Sequence, residues 1–376
     1  MKLPFTLAQD RIQTRRGFGA AVAGPTSIAV VVVVIAILIN EFSLGRFEDV
    51  LLSAMVFACL TVSLQALMGN TGLIFFGQFA FVAVGAYVSG VLTVPASARG
   101  TLLPDLPDWL SGIELGFWAS VVAGALAAGV VALIASPVLV RVSGLAAAVV
   151  SLGLMFIVSD LLRETPSITR GAQVFSGVPY DTTLLTAGIV LTVTTLAAAA
   201  FKFSRWGLEA RGGRDDSVAA ESSGLSMARV RTPALLLGGL LSGAAGAVWA
   251  HYLTAFSPVT FGIDPAVVVV IMAVIGGVNS VSGALVGATI IAVWQELARQ
   301  VEGGLVVFGL QLPRMPEFSA LTLGVGLIVV LAIRPRGLLA SRELQWFRPR
   351  APQRAAAIEE PARESSAEAE PTEVRA

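Results

Sequence analysis

Only two lysines occur in the 376-residue chain, Lys2 and Lys202, and neither follows a glycine. A phosphate-binding loop needs glycine directly before its lysine, so the chain cannot supply an ATP site of that kind. Any ATP-driven function must borrow its motor from a partner. There is one cysteine, Cys59, and one histidine, His251. This excludes an intrachain disulfide, and those two side chains cannot between them build a zinc or haem centre. No metal, cofactor or catalytic residue is expected. Cys59 lies in an apolar run and reads as a small core residue. His251, at the outer end of an apolar block, reads as an interfacial one. Charge is also scarce, at 13% of residues, against about 25% in a soluble domain. The formal net charge is zero and the arginines are spread over loops, which leaves no basic face for nucleic acid.

Apolar residues make up 55% of the chain and gather into blocks close to the ~20 residues that cross a hydrocarbon core as helix. They occupy 27–39, 50–68, 73–94, 116–140, 145–162 and 183–203, then 233–252, 265–277, 281–298 and 318–333. The expected fold is an all-α membrane protein with about ten transmembrane segments. Counting each block as one crossing puts Arg141, Lys202, Arg205, Arg211, Arg214, Arg229, Arg231, Arg334 and Arg336 on one side. The loops of the other side hold fewer arginines, diluted by acids such as Glu48, Asp105, Asp108 and Glu114. The positive-inside rule makes the arginine-rich side cytoplasmic, with both termini there, in a multi-pass protein of the plasma (inner) membrane. "TRRGF" (14–18) resembles a twin-arginine export signal but reads better as the basic flank of the first span. Residues 1–20 are expected to be a cytoplasmic N-terminal segment and 21–340 the transmembrane domain. Residues 341–376, rich in Arg, Pro, Ala and Glu with no apolar period, read as a disordered cytoplasmic tail.

Two places interrupt the apolar pattern with turn and hydrogen-bonding residues. "MGNTGLIFFGQFAFVAVGAY" (68–87) sets Gly69, Asn70, Thr71, Gly72, Gly77 and Gln78 inside hydrophobic flanks, and "GGVNSVSG" (276–283) sets Gly276, Gly277, Asn279, Ser280 and Gly283 between two blocks. The block before the second break, 265–277, is short for an ordinary span. Such breaks are tolerated only where the backbone is buried in protein or lines an aqueous cavity. Interrupted segments in the two halves of a chain point to a transport pathway and raise the expectation of an internal repeat. The glycines are expected to let backbones turn and approach closely, and the polar side chains to satisfy broken helix ends or face the route. Asp160 with Arg163, and Glu296 with Arg299, are spaced as structural pairs at helix ends.

The polar loop 204–231 carries "DSVAAESSGLS". Asp215 or Asp216 suits an N-cap, Ser217 to Ser223 makes about two helical turns, and Gly224 suits the residue that ends them. The predicted short helix presents Val218, Ala219 and small Ala220. This stretch resembles the cytoplasmic coupling loop of ABC importer permeases, with Ala219, Ala220 and Gly224 in the expected spacing. The general pattern has Glu where Val218 stands here; the branched-chain amino acid subfamily, with an acid at Asp216, resembles this chain more closely. Three further segments extend the similarity to the LivM-like branch: "LTVSLQALMGNTGLIFFGQFAFVAVGAY", "LSGAAGAVWAHY" followed by "VIGGVNSVSGALVGA", and "LIVVLAIRPRGLLA". A histidine common in the family near Gln78 is replaced. Together they cover most of 50–340, in order.

The resemblance implies a permease subunit, not an enzyme, that forms a route for branched-chain amino acids. It implies partners as well: a second homologous permease subunit, two cytoplasmic ATPase subunits, and an extracytoplasmic substrate-binding protein. In that family the coupling helix docks in a groove of the ATPase, which here would set Ala219 and Ala220 against it. A permease of the same family for urea, an amide or another small polar solute is the nearest alternative. An ion-driven carrier is a more distant one, because such carriers place several ionisable groups at the membrane midplane, and this chain has almost none there.

Overall fold

Each of the ten apolar blocks forms a helix in the computed structural model, which describes residues 4–42, 47–302, 306–307, 310–311, 317–335, 337–339 and 343. In chain order the principal helices are α1 (Pro4–Phe42), α2 (Glu48–Thr71), α3 (Gln78–Thr93), α4 (Phe117–Leu139), α5 (Gly144–Arg163) and α6 (Leu184–Phe203). They are followed by α7 (Arg205–Asp215), α8 (Ser217–Ser222), α9 (Met227–Leu253), α10 (Ile263–Gly276), α11 (Val281–Glu302) and α12 (Phe318–Ile333). Among the described residues, eight stretches are long and apolar enough to cross a membrane, and α3 and α12 are shorter apolar helices. The chain is an all-α membrane protein. The block at 265–277, short by sequence, is lengthened upstream: a 3-10 turn at Pro258–Phe261 precedes α10 and brings this apolar stretch to 19 residues. At the N-terminus α1 runs without interruption through residue 20, with Pro25 inside it.

α9 is the axis of the bundle and packs against α2, α3 and α4. Lipid tails are as apolar as leucine, so helices in a bilayer associate by close packing, and small residues permit it. Here Gly85 of α3, Gly124 of α4 and Gly243 of α9 meet backbone to backbone; a Cβ on Gly85 would overlap the Gly243 carbonyl, and one on Gly243 would come 2.8 Å from Gly124 O. The outward faces of α4 and α5 are apolar and exposed, with Val122, Leu126, Ile134, Val149, Ile157 and Leu161 among them. A water-facing surface would not carry such a stripe.

Two ends of the bundle differ in chemistry. At one, Lys202, Arg211, Arg214 and Arg231 gather: Arg214 reaches the last turn of α2, Lys202 reaches the α10–α11 turn, and Arg231 donates to the carbonyls of Val140 and Val142. At the other, the two-residue strands β1 (Phe175–Ser176) and β2 (Ala255–Phe256) pair antiparallel over a cluster of Tyr87, Phe175, Phe256 and Phe261. Nearby, the buried Arg99 guanidinium donates to the carbonyls of Leu92, Val94, Leu110, Ser111 and Ile113, holding the loop before α4 against α3.

His251 is not interfacial, as its position in the sequence suggested. It is fully buried, with Nε2 3.1 Å from Ser89 Oγ and 3.4 Å from Ser120 Oγ, and Nδ1 3.1 Å from the Pro179 carbonyl. The imidazole thus ties α3, α4 and α9 to the loop before α6. Proximity to the end of its own helix says nothing about which neighbours cover it. The pairs Asp160–Arg163 and Glu296–Arg299 form as spaced.

Replacing Gly243 by Val would press a branched side chain into Ala128 and the Gly124 carbonyl, an overpacking that costs roughly 1–3 kcal/mol. Thermal unfolding in detergent should fall for Gly243→Val. Gly153→Ala, where a Cβ meets nothing within 4 Å, should not lower it.

Candidate functional site

The first break has an extended segment at membrane depth. α2 ends at Gly72, whose left-handed backbone (φ 69°) turns the chain and whose N–H donates to Met68 O. Residues 73–76 then run without helical structure to Gly77, and α3 starts at Gln78. Gln78 Nε2 donates to Leu60 O and to Ser63 Oγ, each at 2.7 Å. Ser63 lies eight residues before the end of α2, which at 1.5 Å per residue is about 12 Å inside the helix. The chain therefore climbs back along α2, and α3 begins partway through the bundle.

Several polar groups at this break find partners, although Asn70 Oδ1 is buried without one among the described residues. Asn70 Nδ2 donates to Ala66 O, and Thr71 Oγ1 donates to Leu67 O while accepting from Leu73 N. Phe76 N donates to Ser151 Oγ of α5, and Gly77 sits so close to the Ser151 carbonyl that a Cβ would overlap it. Ser242 of α9 donates to Ser63 Oγ, joining α2, α3 and α9 through uncharged groups. Leu73, Phe75 and Gly77 are buried, whereas Gly72 and Ile74 remain exposed, so one side of the extended segment is open.

The second break is built differently, as a tight turn. α10 ends at Gly276, followed by Gly277 (φ 114°) and by Val278, Asn279 and Ser280. Gly276 and Gly283 press together so that a Cβ on either would overlap or crowd the other's carbonyl. The first three N–H groups of α11, which no helix can satisfy internally, are accounted for, and the fourth makes the first ordinary helical bond. Val281 N and Ser282 N donate to the Glu343 carboxylate, Gly283 N to Ser280 Oγ, and Ala284 N to Ser280 O. The two breaks also touch, since a Cβ on Gly69 would overlap the Val278 carbonyl.

Glu343 was expected to belong to a disordered tail. Its side chain is instead buried, the carboxylate 2.5 Å from Lys202 Nζ with both side chains 5% exposed, and Lys202 also donates to Asn279 O. Burial alone would push the Glu343 carboxyl up; the charge of Lys202 and its hydrogen bond, with those from Ser282 and Val281, outweigh it and hold the carboxyl below its ordinary value. The rest of 344–376 lies outside the described residues. Neither Lys202 nor Glu343 stood out as a site residue by sequence, although one of only two lysines at the end of a span was a signal.

The polar loop holds two helices where one was expected. α7 starts from Ser204, whose Oγ accepts from Gly207 N, and α8 starts from Asp216, whose Oδ1 accepts from Val218 N and Ala219 N. α8 ends with Leu225 N donating to Ala220 O and Gly224 N to Glu221 O, with Gly224 at φ 83°. That is the double bond of a glycine-terminated helix. Val218 and Ala219 are exposed, but Ala220 is buried against its own chain, so the outward face is not the one assumed from the Ala-Ala pair. In the last turn of α7, Arg214 Nη1 donates to Gly69 O at 2.5 Å and to Asn279 Oδ1 at 2.7 Å. At the opposite end of the bundle a cavity of about 250 Å³ opens between α2, α11 and α12, with Phe57 and Ala292 on its wall beside Gln295, Glu296, Arg299 and Glu302.

A carboxyl held below its ordinary value of 4.5 stabilises the fold above that pH, and the contribution is lost as pH falls through the lowered folded value. Breaking a buried ion pair costs on the order of 3–5 kcal/mol. Glu343→Gln should therefore unfold at lower temperature than the parent at neutral pH, and the gap should close as pH drops below 4.5. Thermal melts across pH in detergent check this.

Residues 46–331 match the family model described as branched-chain amino acid transport system / permease component. Two curated relatives bear the name high-affinity branched-chain amino acid transport system permease protein LivM, one from Escherichia coli (strain K12) and one from Salmonella typhimurium (strain LT2). Each is 26% identical over 330 residues, covering 77% of this chain and 69% of the relative. No solved structure matches the chain. With the family model spanning the helical bundle from α2 into the last turn of α12, the chain belongs to the permease-component family of branched-chain amino acid transport systems.

Proposed function

We propose that this chain is a permease subunit of an ABC importer for branched-chain amino acids, with its basic end in the cytoplasm. It would form the route together with a second, similar permease chain. Two cytoplasmic ATPases would drive it and an extracytoplasmic binding protein would deliver the solute. The observation that carries this reading is α8, a six-residue helix capped at both ends, with Val218 and Ala219 turned outward, joined through Arg214 to both helix breaks. A plain connector has no need of two caps; a helix that must keep its shape under load does. The solute is taken from the names of the two relatives. Ser63, Gln78 and Ser242, which meet midway along α2, are all uncharged, and this suits a zwitterion better than coupling to an ion gradient.

The test is to uncouple the loop without touching the membrane route. Ala219→Arg puts bulk and charge on the outward face, and Gly224→Val forces a β-branched residue into a left-handed backbone that it strongly disfavours. Both variants should still insert, yet less ATPase should co-purify. Leucine uptake should fall by about tenfold, the factor that ~1.4 kcal/mol of lost docking gives. Uptake that survives both changes but stops with an ionophore at constant ATP would overturn the reading in favour of an ion-driven carrier.

A further inference from the structure

We propose that Arg214 is the positioning residue through which movement of the α7–α8 loop reaches both helix breaks at once. The inference rests on reading that loop as the ATPase-coupling element, and goes beyond it by naming the contact that carries the motion.

Three observations converge on Arg214. Its Nη1 donates both to Gly69 O, in the last turn of α2, and to Asn279 Oδ1, in the turn between α10 and α11. Those acceptors are 210 positions apart in sequence but lie against one another, Gly69 facing the Val278 carbonyl. Gly72, the residue that turns the chain out of α2, leaves the space that the Arg214 stem fills; a Cβ there would overlap Arg214 Cγ and lie 2.9 Å from Cδ. The arginine thus fits into the first break and hydrogen-bonds to the second.

Its own anchorage points the other way, toward α8. Arg214 Nε donates to Asp215 Oδ1 at 2.9 Å, and the next residue, Asp216, is the N-cap that starts α8. Two residues separate the crossbar from the helix proposed to meet the ATPase. Any displacement of α8 must pull on Arg214 or break its bonds, and hydrogen bonds made by a charged donor are the stronger kind. Lys202 and Glu343 hold the far side of the α10–α11 turn, through Asn279 O and the first N–H groups of α11. The turn is therefore gripped from both sides: Lys202 is tied to the middle of α7 by Arg211, and Arg214 stands in its last turn, next to α8.

The test uses the complete transporter with its ATPases, purified with the parent chain, with Arg214→Ala, with Asn279→Ala and with both. It reads ATPase co-purification, ATP hydrolysis and leucine uptake in proteoliposomes. We expect the ATPase to co-purify and hydrolyse ATP normally in all four. Uptake per ATP hydrolysed should fall by about tenfold or more in each single variant, the scale of one lost hydrogen bond to a charged group. The double variant should be no worse than Arg214→Ala alone, because the two residues share one interaction. If Arg214→Ala does not accumulate, Asn279→Ala, which leaves the Gly69 contact in place, carries the same test. Unchanged uptake per ATP, or uptake that falls only in step with abundance, would overturn the proposal. Failure of any ATPase to co-purify with the parent chain would instead overturn the coupling reading, and the inference with it.

Discussion

Backbone N–H and C=O groups inside a bilayer have no water to bond to, and the two interruptions of the helical bundle are held in place by that requirement. At the first, Thr71 of α2 and Ser151 of α5 take the N–H groups of Leu73 and Phe76, and the Gln78 amide ties the start of α3 to the Leu60 carbonyl. At the second, Ser280 and the Glu343 carboxylate take the three N–H groups that open α11. A chain that needed only to cross the membrane would have had no reason to interrupt either helix.

Satisfying the breaks also couples them. Gly69 and Val278 meet without room for a Cβ, and Gly276 packs on Gly283 in the same manner. The two breaks are thus in direct contact through the backbone. The basic end adds a second layer of restraint. A buried Lys202–Glu343 pair is weak evidence for stability by itself, because desolvating two charges offsets much of their attraction. Its use here is geometric: the carboxylate that neutralises Lys202 also fixes the start of α11. The bundle is thus closely packed where the breaks touch, and α7 reaches both through Arg214.

Much of this was legible in the sequence wherever the determinants are local. The ten apolar blocks follow from length and hydropathy, and each became a helix. Asp216 and Gly224 bracket α8 because cap chemistry is read from adjacent residues. What escaped depends on distant contacts. The depth of the first break is set by Gln78 reaching Leu60, 18 positions back. The burial of Glu343 is set by Lys202, 141 positions away, and no reading of the polar segment around Glu343 alone could foresee it. Ala220 was grouped with Ala219 on one face, yet in so short a helix the packing of the loop decides which of the two turns inward. His251, at the end of its helix, is enclosed by residues of three other elements.

The central claim is that α8 and the two breaks move as one body when the transporter works. Cryo-electron microscopy of the assembled complex, with the ATPases apart and with them closed on nucleotide, measures this directly. The account predicts that α8 seats on the ATPase through Val218 and Ala219, and that Gly69 and Asn279 follow it between the two states with the Arg214 contacts kept. An α8 that shifts with the ATPase while Gly69 and Asn279 stay fixed in the bundle would contradict it.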